Sequence, residues 1–271
     1  TPAEGTVITL PGADPVPVLG PQRQDAGRTE PPEFPHVFTR PGERFTLGAA
    51  LGARVDKRLM ITPTAALLTG KPAWRTLFGW DDQVTDAALH GDDLYVLTTK
   101  DEPRGQIVHL RLAADGAITQ RRVLHEDVGQ SLTGVVAGRD GLFVTGTRDG
   151  RFSLRFIAYR HGVPHELALP FDGAMVTLSL SADGRHLLFG LMGWTQPATQ
   201  FRSDGRTIRP IGLASGGWDA ARGFTVLRDE AVSADGTTVP MVILRPDGRP
   251  GAQDVLLEAY GSYGIATLEP W

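Results

Sequence analysis

Residues 106–124 read QIVHLRLAADGAITQRRVL. An apolar strand from Gln106 to Leu112 meets a turn at Gly116, and a second strand follows from Thr119 to Leu124. The same outline recurs along the chain. Upstream it is Ala66-Leu67-Leu68, Gly70 and Trp74 to Phe78; downstream it is Phe152 to Tyr159, Gly162 and Glu166 to Leu169. A further copy runs from Ala198 to Phe201, through Gly205, to Thr207–Ile211. The turn glycines at 70, 116, 162 and 205 are 46, 46 and 43 residues apart. A partial copy, Thr6–Leu10 with Gly12 and Val16–Leu19, stands at the start.

A second hairpin interleaves with the first. It is Asp86–Leu89, His90-Gly91-Asp92-Asp93 and Leu94–Leu97, then Gly134–Ala137, Asp140-Gly141 and Leu142–Val144. A third copy is Val176–Leu180, Asp183-Gly184 and His186–Phe189. The Asp-Gly and Gly-Asp pairs are expected to supply the positive φ of tight hairpin turns. Two hairpins per unit give four antiparallel strands about every 45 residues, the length of a β-propeller blade. The alternative for such spacing is a large β-sandwich. The fold class expected is therefore mostly β: a partial propeller of about four to five blades. Nine prolines between Pro2 and Pro41 make the first forty residues poor in predicted regular structure. A ring normally closes by pairing its first and last blades, so a chain opening in mid-blade reads as a fragment.

Composition excludes several classes. With 27 Lys+Arg against 31 Asp+Glu the net charge is −4, without the clustered positive face that nucleic acid requires. There is no cysteine, so disulfides and thiolate metal sites do not arise. No apolar run approaches the roughly 20 residues of a membrane span. The reading is a soluble protein, cytoplasmic or periplasmic, with its true N-terminus and any leader left open.

The period breaks near Gly217. Phe224–Arg228 and Glu230–Ser233 lead to a hairpin at Asp235-Gly236, a long apolar strand to Arg245, and the continuous run Val255-Leu256-Leu257. Such a run suits a strand buried on both faces of an α/β sheet. The predicted division is residues 1–217 as propeller blades and 218–271 as the first strands of a second domain.

The stretch VSADGTTVPMVILRPDG (232–248), a short spacer and VLLEAYGSYG (255–264) resemble the opening of the catalytic domain of the prolyl oligopeptidase family of serine peptidases. WDDQVTDAALHGDDLYVLTTKDEPRGQIVHLRL (80–112) is similar to that family's mid-propeller blades. The likeness is weak over 1–45 and strong over 224–264, and Tyr-Gly-Ser-Tyr-Gly is closest to the oligopeptidase B branch. Members usually carry a further Tyr-Gly where this chain has Glu258-Ala259, which leaves the branch open. The resemblance implies a seven-bladed propeller followed by an α/β-hydrolase domain. It implies cleavage of short peptides, after proline or after a basic residue, by Ser-His-Asp acyl transfer, with no metal or organic cofactor.

Acyl transfer places negative charge on the carbonyl oxygen, and a pre-aimed donor there lowers the barrier. In α/β-hydrolases one such donor comes from the loop after the third strand. The resemblance makes Tyr260 the oxyanion tyrosine and Tyr263 an aromatic wall of the substrate pocket. From spacing alone, the favoured reading is that both tyrosines pack at a domain seam with their hydroxyls satisfied locally. No Gly-x-Ser-x-Gly elbow occurs in the sequence, and neither Ser262 nor Ser131 has its setting. Nucleophile, acid and base are expected in the missing remainder of the enzyme, which becomes the expected partner alongside short peptides.

Other candidates read as structural. His161 and His165 stand four apart, on a turn rather than a helix face. His125-Glu126-Asp127 sits at an outer-strand end, Gly216-Gly217 reads as a linker, and Trp74, Trp80 and Trp218 read as blade packing. The rival function is a non-catalytic propeller used as a protein-binding scaffold.

Overall fold

Antiparallel hairpins dominate the computed structural model, which describes residues 6–8, 14–40, 42–127, 129–160, 162–214 and 223–261. The chain divides into two units, Thr1–Ala137 and Gly138–Trp271.

In the first unit β1 (Thr6–Ile8) pairs with β2 (Val16–Leu19). A meander follows: β3 (Phe34–Phe38), β4 (Phe45–Gly52), β5 (Arg54–Pro63) and β6 (Arg75–Phe78), each paired with its predecessor. The next meander is β7 (Val84–His90), β8 (Asp93–Thr98), β9 (Gln106–Leu112) and β10 (Ile118–Glu126). Three strands thus precede residue 40, against the expectation of little regular structure. The prolines permit it because β3 is the last strand on its side of the sheet, where Pro35 need not donate to a further neighbour.

The predicted strand Ala66-Leu67-Leu68 is instead part of a helix, α1 (Thr64–Leu68). Alanine and leucine are the strongest helix formers, and none of Ala65–Leu68 is β-branched. The helix ends in a Schellman motif: Lys71 N–H reaches Ala66 O at 3.0 Å and Gly70 N–H reaches Leu67 O at 2.9 Å. Gly70 supplies the required left-handed φ of 72°. The turn glycines 116, 162 and 205 also carry positive φ, as the hairpin reading requires.

Alternation along the strands places Phe45, Leu47, Leu59, Ile61, Val84, Leu94, Val96, Val108 and Leu110 in one buried cluster shared by the two meanders. Fully burying such side chains contributes about 1.5–3 kcal/mol each relative to exposure. A second cluster forms around Trp74, which is 5% exposed and packs with Val18, Leu19, Ala50, Met60 and Leu67. The second core confirms Trp74 as a packing residue. Trp80 packs against the second cluster, with the Arg54 guanidinium 4.8 Å above its ring, and Trp218 lies outside the described residues.

Asp25 ties the preceding segment to this tryptophan. Its carboxylate accepts from Arg23 Nη2 at 2.6 Å, Gly27 N–H at 3.1 Å and Trp74 N–H at 3.1 Å. Partial burial works against the charge, but these donors outweigh it and hold Asp25 below the ordinary 3.8. Stability from a depressed carboxylate is fully present above the unfolded value and is lost as pH falls through the folded one. Asp25→Asn should therefore lower Tm at pH 7, with the difference shrinking below about pH 4; a gap constant to pH 2.5, followed by thermal melts, contradicts this role.

Asp86 behaves oppositely. Burial pushes it up, partly offset by Lys57 at 3.6 Å and by the Val135 N–H at 2.9 Å. It links β5 and β7 to β11 (Ser131–Ala137), the last strand of this unit.

The second unit contains β12 (Gly141–Arg148), β13 (Arg151–Ala158) and β14 (Pro164–Glu166), antiparallel in that order. A complete four-stranded meander follows, β15 (Ala174–Leu180), β16 (Leu187–Met192), β17 (Thr199–Ser203) and β18 (Ile208–Ala214). Phe143 packs on Phe156 with ring centroids 4.9 Å apart, and Phe189 on Phe201 at 5.7 Å. Gly141 does not supply the positive φ expected of it; it opens β12, where a Cβ would lie 2.4 Å from the Ile157 carbonyl oxygen. The constraint is close backbone approach rather than turn geometry.

Counted along the chain, β3–β6, β7–β10, β11–β14 and β15–β18 are four consecutive sets of four strands. The chain is a partial β-propeller with four blades' worth of strands, as the glycine period predicts.

Candidate functional site

After the fourth set comes a two-stranded hairpin, β19 (Phe224–Val232) and β20 (Thr238–Pro246), paired over nine residues without a bulge. Its turn is built by Asp235, which accepts from the Ser233 hydroxyl and, at 2.9 Å, from Thr237 N–H. The Ser233 hydroxyl and then the Thr237 amide draw Asp235 down to about 2. The base is closed by Thr225 Oγ1 donating to Asp247 Oδ1 at 2.6 Å.

One side chain fastens the hairpin within its unit. Arg228 of β19 donates through Nε to Asp172 Oδ2 at 2.9 Å, again through Nη2, and through Nη1 to Gly150 O at 3.4 Å. Arg151 stands 3.6 Å from the same Asp172 oxygen. Beside this clamp is an open cleft of about 670 Å³ lined by Arg148, Arg151, Glu166, Arg228, Glu230 and Met241 among others. Mixed charge and few apolar walls suit a polar seam more than a small-molecule pocket.

Residues 249–261 carry no strand, and Val255, Leu256 and Leu257 are 86%, 92% and 80% exposed. The expected two-sided burial of this run is absent here. A central strand is buried only when hydrogen-bonded strands flank it on both sides, and no described strand pairs with this segment. Tyr260 follows, 56% exposed, with Gly261 at φ 70° beside it in open space. No hydrogen-bond partner holds the phenol among the described residues. Its hydroxyl is therefore available as a donor. Tyr263 and Ser262 lie outside the described residues.

Of the histidine candidates, His165 is structural. His165 Nε2 lies 2.7 Å from Gly205 O, its ring edge-on to Phe156; His161 lies outside the described residues, as do Gly216 and Gly217. His125 and Glu126 end β10, and Asp127 accepts the Gly129 N–H at 2.8 Å, closing its own turn.

The densest polar network was not anticipated from sequence. On the face of β8–β10, His109 Nε2 lies 2.6 Å from Asp93 Oδ1, and Arg111 Nη1 donates to Asp93 Oδ2 at 2.7 Å. Arg122 Nε donates to His109 Nδ1 at 3.0 Å, which assigns the remaining proton to Nε2. Tyr95 stacks on the imidazole at 4.9 Å, its hydroxyl pushed up to about 12 by burial and by Asp93. With both ring nitrogens engaged, His109 is a cross-strand fastener rather than a general base. The available signal was register: once β8 pairs with β9, Asp93 faces Arg111 and Tyr95 faces His109.

Among the described residues, no group of three or more His, Cys, Asp or Glu is placed to hold a metal ion. No helix there is long and apolar enough to cross a membrane.

Four-stranded antiparallel units in series, followed by a hairpin outside the period, define a propeller module joined to a further segment. The prolyl oligopeptidase N-terminal β-propeller model matches residues 65–209, more than half of the 271. The chain belongs to the prolyl oligopeptidase family and carries its N-terminal β-propeller domain. Among solved structures it is similar to prolyl oligopeptidase B from Galerina marginata bound to a 35mer substrate, with TM-score 0.64 and 17% identity, over 79% of this chain and 31% of that one. It is also similar to oligopeptidase B from Trypanosoma brucei with covalently bound antipain, with TM-score 0.63 and 16% identity, over 82% of this chain and 33% of that one. A prolyl endopeptidase from a study of inter-domain dynamics matches at TM-score 0.60 and 22% identity, over 79% of this chain and 31% of that one. The chain thus spans about a third of the length of the structures it matches. No curated protein matches the chain.

Proposed function

We propose that the chain supplies propeller blades and the opening of the catalytic segment to a serine oligopeptidase of this family. The enzyme would hydrolyse short peptides by Ser-His-Asp acyl transfer, with the propeller excluding folded proteins by size. The observation that carries this reading is chain order: blades matching the family's propeller over 65–209, then directly the β19–β20 hairpin and the Tyr260-Gly261 turn. Tyr260 is the proposed oxyanion donor, Tyr263 a wall of the substrate pocket, and 218–271 the first part of the α/β-hydrolase segment. The phenol is exposed in this structure, so a downstream segment must bring substrate to it. Attack on the peptide bond requires a nucleophile and base from that segment, because residues 1–271 contain no nucleophile elbow.

The test uses a serine-directed fluorophosphonate probe and intact-mass analysis of protein purified from its natural source. The expected result is labelling of a species containing both these residues and a Gly-x-Ser-x-Gly sequence, on one polypeptide or two. The chain expressed alone should remain unlabelled. A naturally purified protein lacking both the probe adduct and any such serine would leave the scaffold reading standing and remove this one.

A further inference from the structure

Several arginines in this protein sit against a carboxylate: Arg23 on Asp25, Arg54 on Asp56, Arg58 on Glu33, Arg111 on Asp93, Arg228 on Asp172. Two on the fourth set of strands do not. Arg202 of β17 and Arg209 of β18 face each other in direct cross-strand register. Neither guanidinium has an ion-pair or hydrogen-bond partner among the described residues. Like charges directly opposite each other on one sheet face are destabilising unless something lies between them.

Asp204 and Asp183 each close their own turn, and Asp204, whose carboxylate also lines the cleft, offsets only one of the two arginine charges. Asp204 Oδ1 accepts from Arg206 N–H at 2.9 Å and Thr207 N–H at 2.8 Å. Asp183 Oδ1 accepts from the Ser181 hydroxyl at 2.7 Å and from Arg185 N–H at 3.0 Å. The two arginines also share a cleft of about 200 Å³, completed by His186, Asp204 and Thr207. His186 reaches it from the residue just before β16, and Thr207 from the residue just before β18.

We propose that this cleft is an anion site that takes a phosphate-type oxyanion. Two guanidiniums and an imidazole line the cleft with more N–H donors than a planar carboxylate can use, whereas a tetrahedral oxyanion can use them from several directions; the Thr207 hydroxyl is engaged by Asp204 Oδ1 at 3.3 Å. Guanidinium forks match such oxygens bidentately. The bound anion would also lie between the two facing cations and relieve their repulsion. The site lies wholly on the β16–β18 face and does not depend on the peptidase reading.

The test titrates the chain with inorganic phosphate against chloride at constant ionic strength, following the His186 imidazole resonances by NMR and Tm by thermal melting. Expected are a saturable shift at His186 and a rise in Tm with phosphate but not with chloride. Arg202→Gln and Arg209→Gln should each weaken phosphate binding at least tenfold, and the double variant should abolish it. Without phosphate, Arg209→Gln should leave Tm unchanged or raised, since it removes a repulsion. O-phosphoserine separates sources: binding tighter than inorganic phosphate indicates an esterified phosphoryl group, and equal binding indicates the free ion. A phosphate response no larger than chloride's, a response kept in the double variant, or a lower Tm for Arg209→Gln without phosphate overturns the proposal.

Discussion

Tyr260→Phe, made in the full-length protein that carries this chain, should lower kcat by about 10²–10³-fold with KM little changed. A donor aimed at charge that develops only in the transition state contributes nothing to ground-state binding, so kcat and kcat/KM fall together. Removing the hydroxyl should leave stability intact, because the phenol is 56% exposed and no described residue uses it. Steady-state kinetics beside a thermal melt separates the two effects. Loss of activity with a matching loss of Tm would mark the residue as structural, and unchanged turnover would remove the oxyanion role.

Trp74→Ala should destabilise the first unit by about 3–5 kcal/mol, read from denaturant midpoints. The indole is 5% exposed and lies against two glycines: a Cβ on Gly27 would come within 2.2 Å of it, and one on Gly48 within 2.9 Å. Its Nε1 donates to Val18 O at 2.5 Å, so truncation also leaves a buried carbonyl without its donor. One side chain therefore ties β2 and the Asp25 turn to β4. Trp74→Phe should cost less, about 1–3 kcal/mol, since the ring remains and the N–H does not. A loss below 1 kcal/mol for the alanine variant would show that the surrounding segment is not anchored here.

The blade period was legible because a tight hairpin turn places a positive φ somewhere, and glycines 116, 162 and 205 take it; Gly70 takes it as a helix cap instead. Strand alternation then located β7–β10 and β15–β18 closely. The first set was harder to see. Pro35 hides β3, although an edge strand tolerates proline. The helix Thr64–Leu68 was read as a strand because three apolar residues carry no usable period. Asp140-Gly141 looked like a left-handed turn, but its glycine answers to a neighbouring carbonyl that only the folded sheet brings close.

The candidate site was legible only through family likeness. Tyr260 and Tyr263 have no local pattern that separates a donor from a packing residue, and the apolar run Val255–Leu257 has no paired strand in this structure. Networks such as His109–Asp93–Arg111–Arg122 depend on register between strands, which no single strand's sequence contains.

The most direct measurement is a crystal structure of the full-length protein after reaction with a phosphonate that forms a tetrahedral serine adduct. The account predicts the Tyr260 hydroxyl about 2.7–3.1 Å from the adduct's oxyanion, with β19–β20 leading into the hydrolase sheet. A phenol left in solvent, or β19–β20 incorporated as an ordinary propeller blade, would contradict it.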